Sequence, residues 1–201
     1  MPEPQTVART LHDIGLATWF GGALMGAVGL NGATQEVSDP KDRARVADSG
    51  WGRWTPVSAL AIGAHVLGSV QLTRGNASRL AGQRGVGTAA AIKAALTAGA
   101  LGATAYARVL GQKVMEAEAA EAARDSAQDN ADSVGMEVED ATHPTEGTPD
   151  TAAAAQTRLR ALQWAVPALT GAIVVVQAKM GEQQRVSQQL KGLAGRLNPR
   201  R

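Results

Sequence analysis

The chain contains no cysteine, which excludes disulfides, thiolate metal centres and a cysteine nucleophile. Aromatic residues are scarce: four Trp, one Tyr and one Phe among 201 residues. Net formal charge is only +2 and no Lys/Arg stripe is interleaved with aromatics, so the footprint of a nucleic-acid binder is missing. Catalytic signatures are missing as well: there is no P-loop, no GxSxG and no HExxH. The acidic stretch lacks the ordered Asp/Gly spacing of a calcium hand. From these absences we expect no enzyme activity, no resident metal and no cofactor.

What the chain has is apolar blocks separated by polar ones. A mean hydropathy of −0.12 hides this, because the windows decide the class and the average does not. The stretch Leu11 to Gly32 is interrupted only by His12, Asp13 and Thr18, with Asn31 at its end. It is too long for the apolar core of a secretory signal and has the roughly 20 residues that cross about 30 Å of hydrocarbon. A charged loop, Thr34 to Arg53, follows, with Asp39-Pro40 as its turn. The second candidate span is Trp51 to Leu72, with Trp51 and Trp54 at the expected membrane–water boundary and Pro56 in the first turn. A short loop, 73–85, carries Arg74, Arg79 and Arg84 and no acid.

Val86 to Gly111 is the third candidate span, rich in Ala, Gly and Thr, the least apolar of the set, and holding Lys93. A central lysine costs about 2.5–3.5 kcal/mol on insertion scales unless it snorkels. From 112 to 157 the chain is acidic: Lys113 to Arg124 reads as an amphipathic helix and Asp125 to Thr151 as disordered. Removal of 125–151 is therefore expected to leave the bundle folded. The fourth span is Leu159 to Lys179, with Trp164 near its entrance, Pro167 in an early turn and the run Ile173 to Val176. Met180 to Arg201 is a polar, basic tail. The expected organisation is thus 1–111 with three spans, 112–157 as an acidic loop, and 158–201 with the fourth span and tail. The fold class is all-α, an integral membrane bundle of about four transmembrane helices.

Orientation follows the basic residues of short flanks. Arg9, the 73–85 loop and the tail fall on one side, which makes both termini cytoplasmic and the acidic loop extracytoplasmic. The competing reading is a soluble bundle whose apolar windows are core helices. Four helices apolar all round would then need a larger core than this chain can surround.

Five polar residues and two glycines stand out as candidates. His12 and His65 are the histidines near spans, and imidazole is a common ligand for copper or haem. Their depths argue against pairing within one subunit, with His12 at the mouth of the first helix and His65 two turns inside the second. Structural roles, a cap for His12 and an interhelical bond for His65, are the competing reading. His143 is expected to be solvated in the acidic loop. Asp13 and Lys93 should lie in the cytoplasmic third of the bilayer, either as part of a proton path or as a structural ion pair. Gly22 and Gly26 form a GxxxG spacing that lets another helix approach.

The stretch Leu11-His12-Asp13-Ile14-Gly15-Leu16-Ala17-Thr18-Trp19-Phe20-Gly21-Gly22 resembles the first helix of bacterial four-helix membrane families. In these, including the copper-resistance D type, an early His precedes a Trp-x-Gly step. Thr18 to Leu24 and Gly181 to Arg185 are also similar to small membrane proteins of high-GC bacteria. The copper-family resemblance implies metal handling at His12 and His65, although the chain lacks that family's Cys- and Met-rich clusters. The leading expectation is a non-catalytic accessory or assembly subunit, held in the lipid bilayer of the cell membrane. Its partners would be a larger membrane complex, such as a respiratory one, or copies of itself, and not nucleic acid. The alternative is a small transporter or a metal- or haem-handling protein.

Overall fold

The computed structural model describes residues 4–75, 86–127 and 135–182. Expectations resting on Arg79, Arg84, residues 128–134 and the tail from 183 lie outside the described residues. Four long helices make up most of the rest: α1 Pro4–Met25, α2 Asp42–Gly75, α3 Val86–Ala127 and α4 Asp150–Glu182. A π-helical turn, Gly26–Leu30, and two short turns carry α1 onward to Glu36. The expected Asp39-Pro40 turn is present, closed by the Asp42 amide on the Asp39 carbonyl and by the Lys41 amide on the Asp39 carboxylate.

The helices run up and down in turn and pair as two hairpins, α1 with α2 and α3 with α4. Contacts between α1 and α4 join the hairpins, whereas α2 and α3 barely meet. All four helices outrun the windows read from the sequence, α1 together with its continuation to Glu36. At 1.5 Å per residue α2 is about 51 Å long and α3 about 63 Å, against roughly 30 Å of hydrocarbon. The added turns come from Ala-rich, charged sequence with high helix propensity, which hydropathy alone does not see. Pro56 and Pro167 therefore sit inside helices and not in their first turns. Nearby hydroxyls engage backbone carbonyls: Thr55 bonds Trp51 O, and Thr170 bonds Val166 O and Pro167 O.

Gln5–Glu36, Asp42–Gly75 and Asp150–Gly181 are each long and apolar enough to cross a membrane, consistent with a membrane protein. α3, which contains the expected third span Val86 to Gly111, does not reach that apolarity among the described residues. Of the three apolar windows only 28%, 17% and 22% is buried, and Val7, Ile14, Leu60, Leu67 and Val175 point outward. A soluble bundle would bury those windows as its core, so this surface needs an apolar surrounding.

Two apolar clusters divide the molecule. Leu16, Trp19, Ala100, Val166 and Ile173 fill the four-helix part. Ala44, Leu110, Val114, Met136, Val138, Ala152 and Ala155 fill a cap, where the projecting ends of α2, α3 and α4 meet the segment 135–149. This corrects the expectation of disorder over 125–151: residues 125–127 belong to α3, and 135–149 is packed. The segment has few apolar residues, but it buries Met136 and Val138 and satisfies its own backbone. Asp140 accepts from Gln35, from the Thr142 and His143 amides and from the His143 ring, while Arg43 donates to three carbonyls. His143 is thus a partner of Asp140 at 2.7 Å and not a freely solvated side chain.

Met136→Ala is expected to lower the thermal stability of the detergent-purified chain by about 2–4 kcal/mol. An unchanged melting curve would return 135–149 to the loose loop read from the sequence. A second expectation concerns acid. Burial pushes the Asp140 carboxyl up, but the bonds from Gln35, Thr142 and His143 outweigh it and hold its pKa below the usual 3.8. The stabilisation is therefore complete above pH 3.8 and is lost as pH falls through the lower, folded value. Asp140→Asn should flatten the acid limb of a stability–pH curve.

Candidate functional site

The site is set by how α1 and α2 touch. A Cβ added at Gly15 would meet the backbone of α2 at Ala61 and His65, and one added at Gly68 would meet α1 at Ala8 and His12. Each glycine follows a histidine by three residues, in His12-x-x-Gly15 and His65-x-x-Gly68. The two His-x-x-Gly steps clasp each other antiparallel, so each glycine receives the backbone beside the other helix's histidine. Only a residue without a side chain permits this approach.

The clasp puts both histidines on one level. Their ring centroids are 4.4 Å apart, tilted by 44°. His65 Nδ1 donates to the His12 carbonyl at 3.2 Å. The expectation that depth separates them is overturned. α1 begins at Pro4, so His12 lies about 12 Å along its axis, and His65 lies about 15 Å from the end of α2. Reading the first helix from Leu11 had left His12 at its mouth.

Three further residues join this level from the remaining contacts. His12 Nδ1 lies 2.7 Å from Asp13 Oδ1, and Lys93 Nζ of α3 lies 2.5 Å from His12 Nε2. Gln177 of α4 donates to Asp13 Oδ1 at 2.5 Å. Asp13 and Lys93 therefore meet through the His12 ring, and no direct ion pair joins them among the described residues. Partner chemistry assigns the protons: Lys93 can only donate, so His12 accepts at Nε2 and carries its hydrogen on Nδ1, toward the carboxylate. His65, which donates from Nδ1, keeps a lone pair on Nε2. That atom is buried without a hydrogen-bond partner, as are Ser69 Oγ and Gln177 Oε1.

Exposure grades across the cluster. His12 and His65 are fully buried, at 1% and 0%, while the Asp13 side chain is 46% exposed. Asp13 faces an open surface pocket of about 520 Å³ along the N-terminal part of α1, which Gln5, Thr6, Arg9, Thr10 and Ile14 also line. Trp19 presents its edge to His65 and anchors itself by an indole bond to Thr104 of α3.

Gly22 and Gly26 lie further along α1, away from the cluster. They hold no backbone: Trp54 lies over Gly22 and Trp51 over Gly26. The two half-buried indoles thus pack against α1 in the α1–α2 hairpin. Trp51 also donates to Asn31, which in turn bonds Gln163 of α4.

Sequence reasoning picked out His12, Asp13, His65 and Lys93 but missed Gln177, Gly15 and Gly68. The repeated His-x-x-Gly step was the available signal for the glycines; Gln177 had none beyond being a polar residue near the end of an apolar helix. Among the described residues no group of three or more His, Asp or Glu is arranged to hold a metal ion. No protein-family model, no curated protein and no solved structure matches this chain.

If the imidazole couples Asp13 to Lys93, Asp13→Asn and Lys93→Met should be non-additive in thermal stability by about 0.5–3 kcal/mol. The coupling should vanish when the same cycle is repeated with His12→Ala. Coupling that persists without the ring would mean that the two charges interact directly.

Proposed function

We propose that this chain is a multi-pass cell-membrane protein of the small-transporter class, whose Asp13–His12–Lys93 cluster handles protons. Lys/Arg bias supports cytoplasmic termini, which puts the cluster toward the cytoplasmic side and the cap outside. α3, less apolar than its neighbours, would be the fourth span, with its polar positions turned to the cluster.

The observation that carries this reading is that all four helices contribute to one polar cluster around two buried histidines: His12 and Asp13, His65, Lys93, and Gln177. Ionisable residues inside membrane helices are costly and mark ion or proton routes. A structural lock would be complete with two charges. Here His65 and Gln177 add polar atoms with no partner among the described residues, which a two-charge lock does not require. Protons fit better than copper or haem, because both nitrogens of His12 are occupied and an ammonium sits beside them. A metal ion at this point would face the Lys93 charge.

The second reading is a non-catalytic accessory or assembly subunit of a larger membrane complex, such as a respiratory one. It is favoured by Gly63 and Gly102, beside which an added Cβ meets nothing, leaving small-residue surface for another helix.

Liposomes containing the purified chain, an internal pH dye and an imposed potassium potential separate the two. Proton entry faster than in empty liposomes, and lost with Lys93→Met, is the expected result. No entry above empty liposomes, together with stoichiometric recovery of a large complex in mild detergent, would replace this reading with the accessory one. Visible absorbance or bound metal in the purified protein would point instead to metal or haem handling.

A further inference from the structure

We infer that Asp13 is the loading end of the cluster, exchanging protons with water in the pocket beside it, and that His12 passes them to Lys93 by switching tautomer. This rests on the proton-handling reading above and adds its route and direction of access.

The geometry supplies each part. Asp13 is the member of the cluster that lines the pocket, and it is half exposed, whereas the ring behind it is buried. The ring's two nitrogens face two different groups, a carboxylate and an amine, at hydrogen-bond distance. One step moves two protons. Lys93 Nζ gives a proton to His12 Nε2 while His12 gives its Nδ1 proton to Asp13 Oδ1. The ammonium becomes an amine, the carboxylate an acid, and the imidazole its other tautomer; the number of protons is unchanged and both charges vanish. Asp13 then releases its proton to pocket water, and the reverse sequence loads Lys93.

The groups facing this path come from every helix packed on it. α1 supplies Arg9 at the pocket, α2 supplies His65, α3 supplies Lys93 itself, and α4 supplies the uncharged Gln177. Gln177 is a positioning residue. Its amide hydrogen on Asp13 Oδ1 holds the carboxylate toward the ring, and it carries no charge that would compete for the proton.

Two experiments on the full chain in liposomes test the route. The chain has no cysteine, so Thr10→Cys gives a single thiol at the pocket. A bulky membrane-impermeant maleimide on that thiol should remove proton entry when applied from the pocket side, compared with the same variant unlabelled. The same reagent on Thr73→Cys, exposed near the end of α2, should leave entry unchanged. Labelled Thr10→Cys with undiminished entry would overturn the pocket as the access route, while the wild-type flux would leave the parent reading standing. For the relay, His12→Ala should lower the rate about a hundredfold. Added imidazole should restore it and 1-methylimidazole, which cannot exchange protons through both nitrogens, should not. Rescue by both or by neither would overturn the tautomer step.

Discussion

The backbone contact between α1 and α2 at Gly15 and Gly68 is the constraint on which the rest depends. Two helices normally pack 8–10 Å apart, and only small residues let them come closer. Here each helix presents its glycine to the other's histidine-bearing turn, so the approach and the side-chain placement are one event. The His65 ring bonds to the His12 carbonyl because that carbonyl is within reach. With larger residues at the two glycines, the histidines would belong to separate helix surfaces.

Once α1 is held in this way, it occupies the middle of the assembly. α2 lies against it on one side and α4 on the other, and Trp19 and His12 reach across to α3. A helix so placed can collect polar side chains from every neighbour, and this one does. A hydrogen bond in such an interior is stronger than in water, and an unmade one is more costly. The cluster is therefore held by partners on each side, and its half-exposed carboxylate is the exception that connects it to the outside.

The cap follows a different logic from the four-helix part. Around the cluster, Leu16, Trp19, Val166 and Ile173 point inward beside glycine, alanine and a few polar contacts, while Ile14, Leu60, Leu67 and Val175 point away from the axis. In the cap, apolar residues point inward and buried polar groups such as Asp140, Thr142 and Glu118 bond one another and the backbone. α3 runs through both, and its sequence is correspondingly mixed: small residues to Gly111, then buried Val114 and Glu118 on the face that meets 135–149. Glu118 accepts from the Met136 amide, and Arg45 stands 3.6 Å from its other oxygen. Asp140 plays the same part for the loop between α1 and α2 through Gln35, so two buried carboxylates organise the backbone of the cap.

The sequence by itself determined the helical class, the number of long helices, the Asp39-Pro40 turn and three of the four apolar windows it read as spans. These depend on composition and local propensity, which neighbouring residues carry. It also singled out His12, Asp13, His65 and Lys93, because ionisable residues in apolar helices are visible without a partner. Only the tertiary structure decided that they meet. The levels of His12 and His65 depend on where the helices begin and end, and the charged alanine-rich turns that extend them leave no mark in hydropathy. The joining of Asp13 to Lys93 through an imidazole, and the recruitment of Gln177, are contacts between residues 81 and 164 positions apart. No local pattern encodes such distances; they exist only once the glycine clasp has fixed one helix against the next.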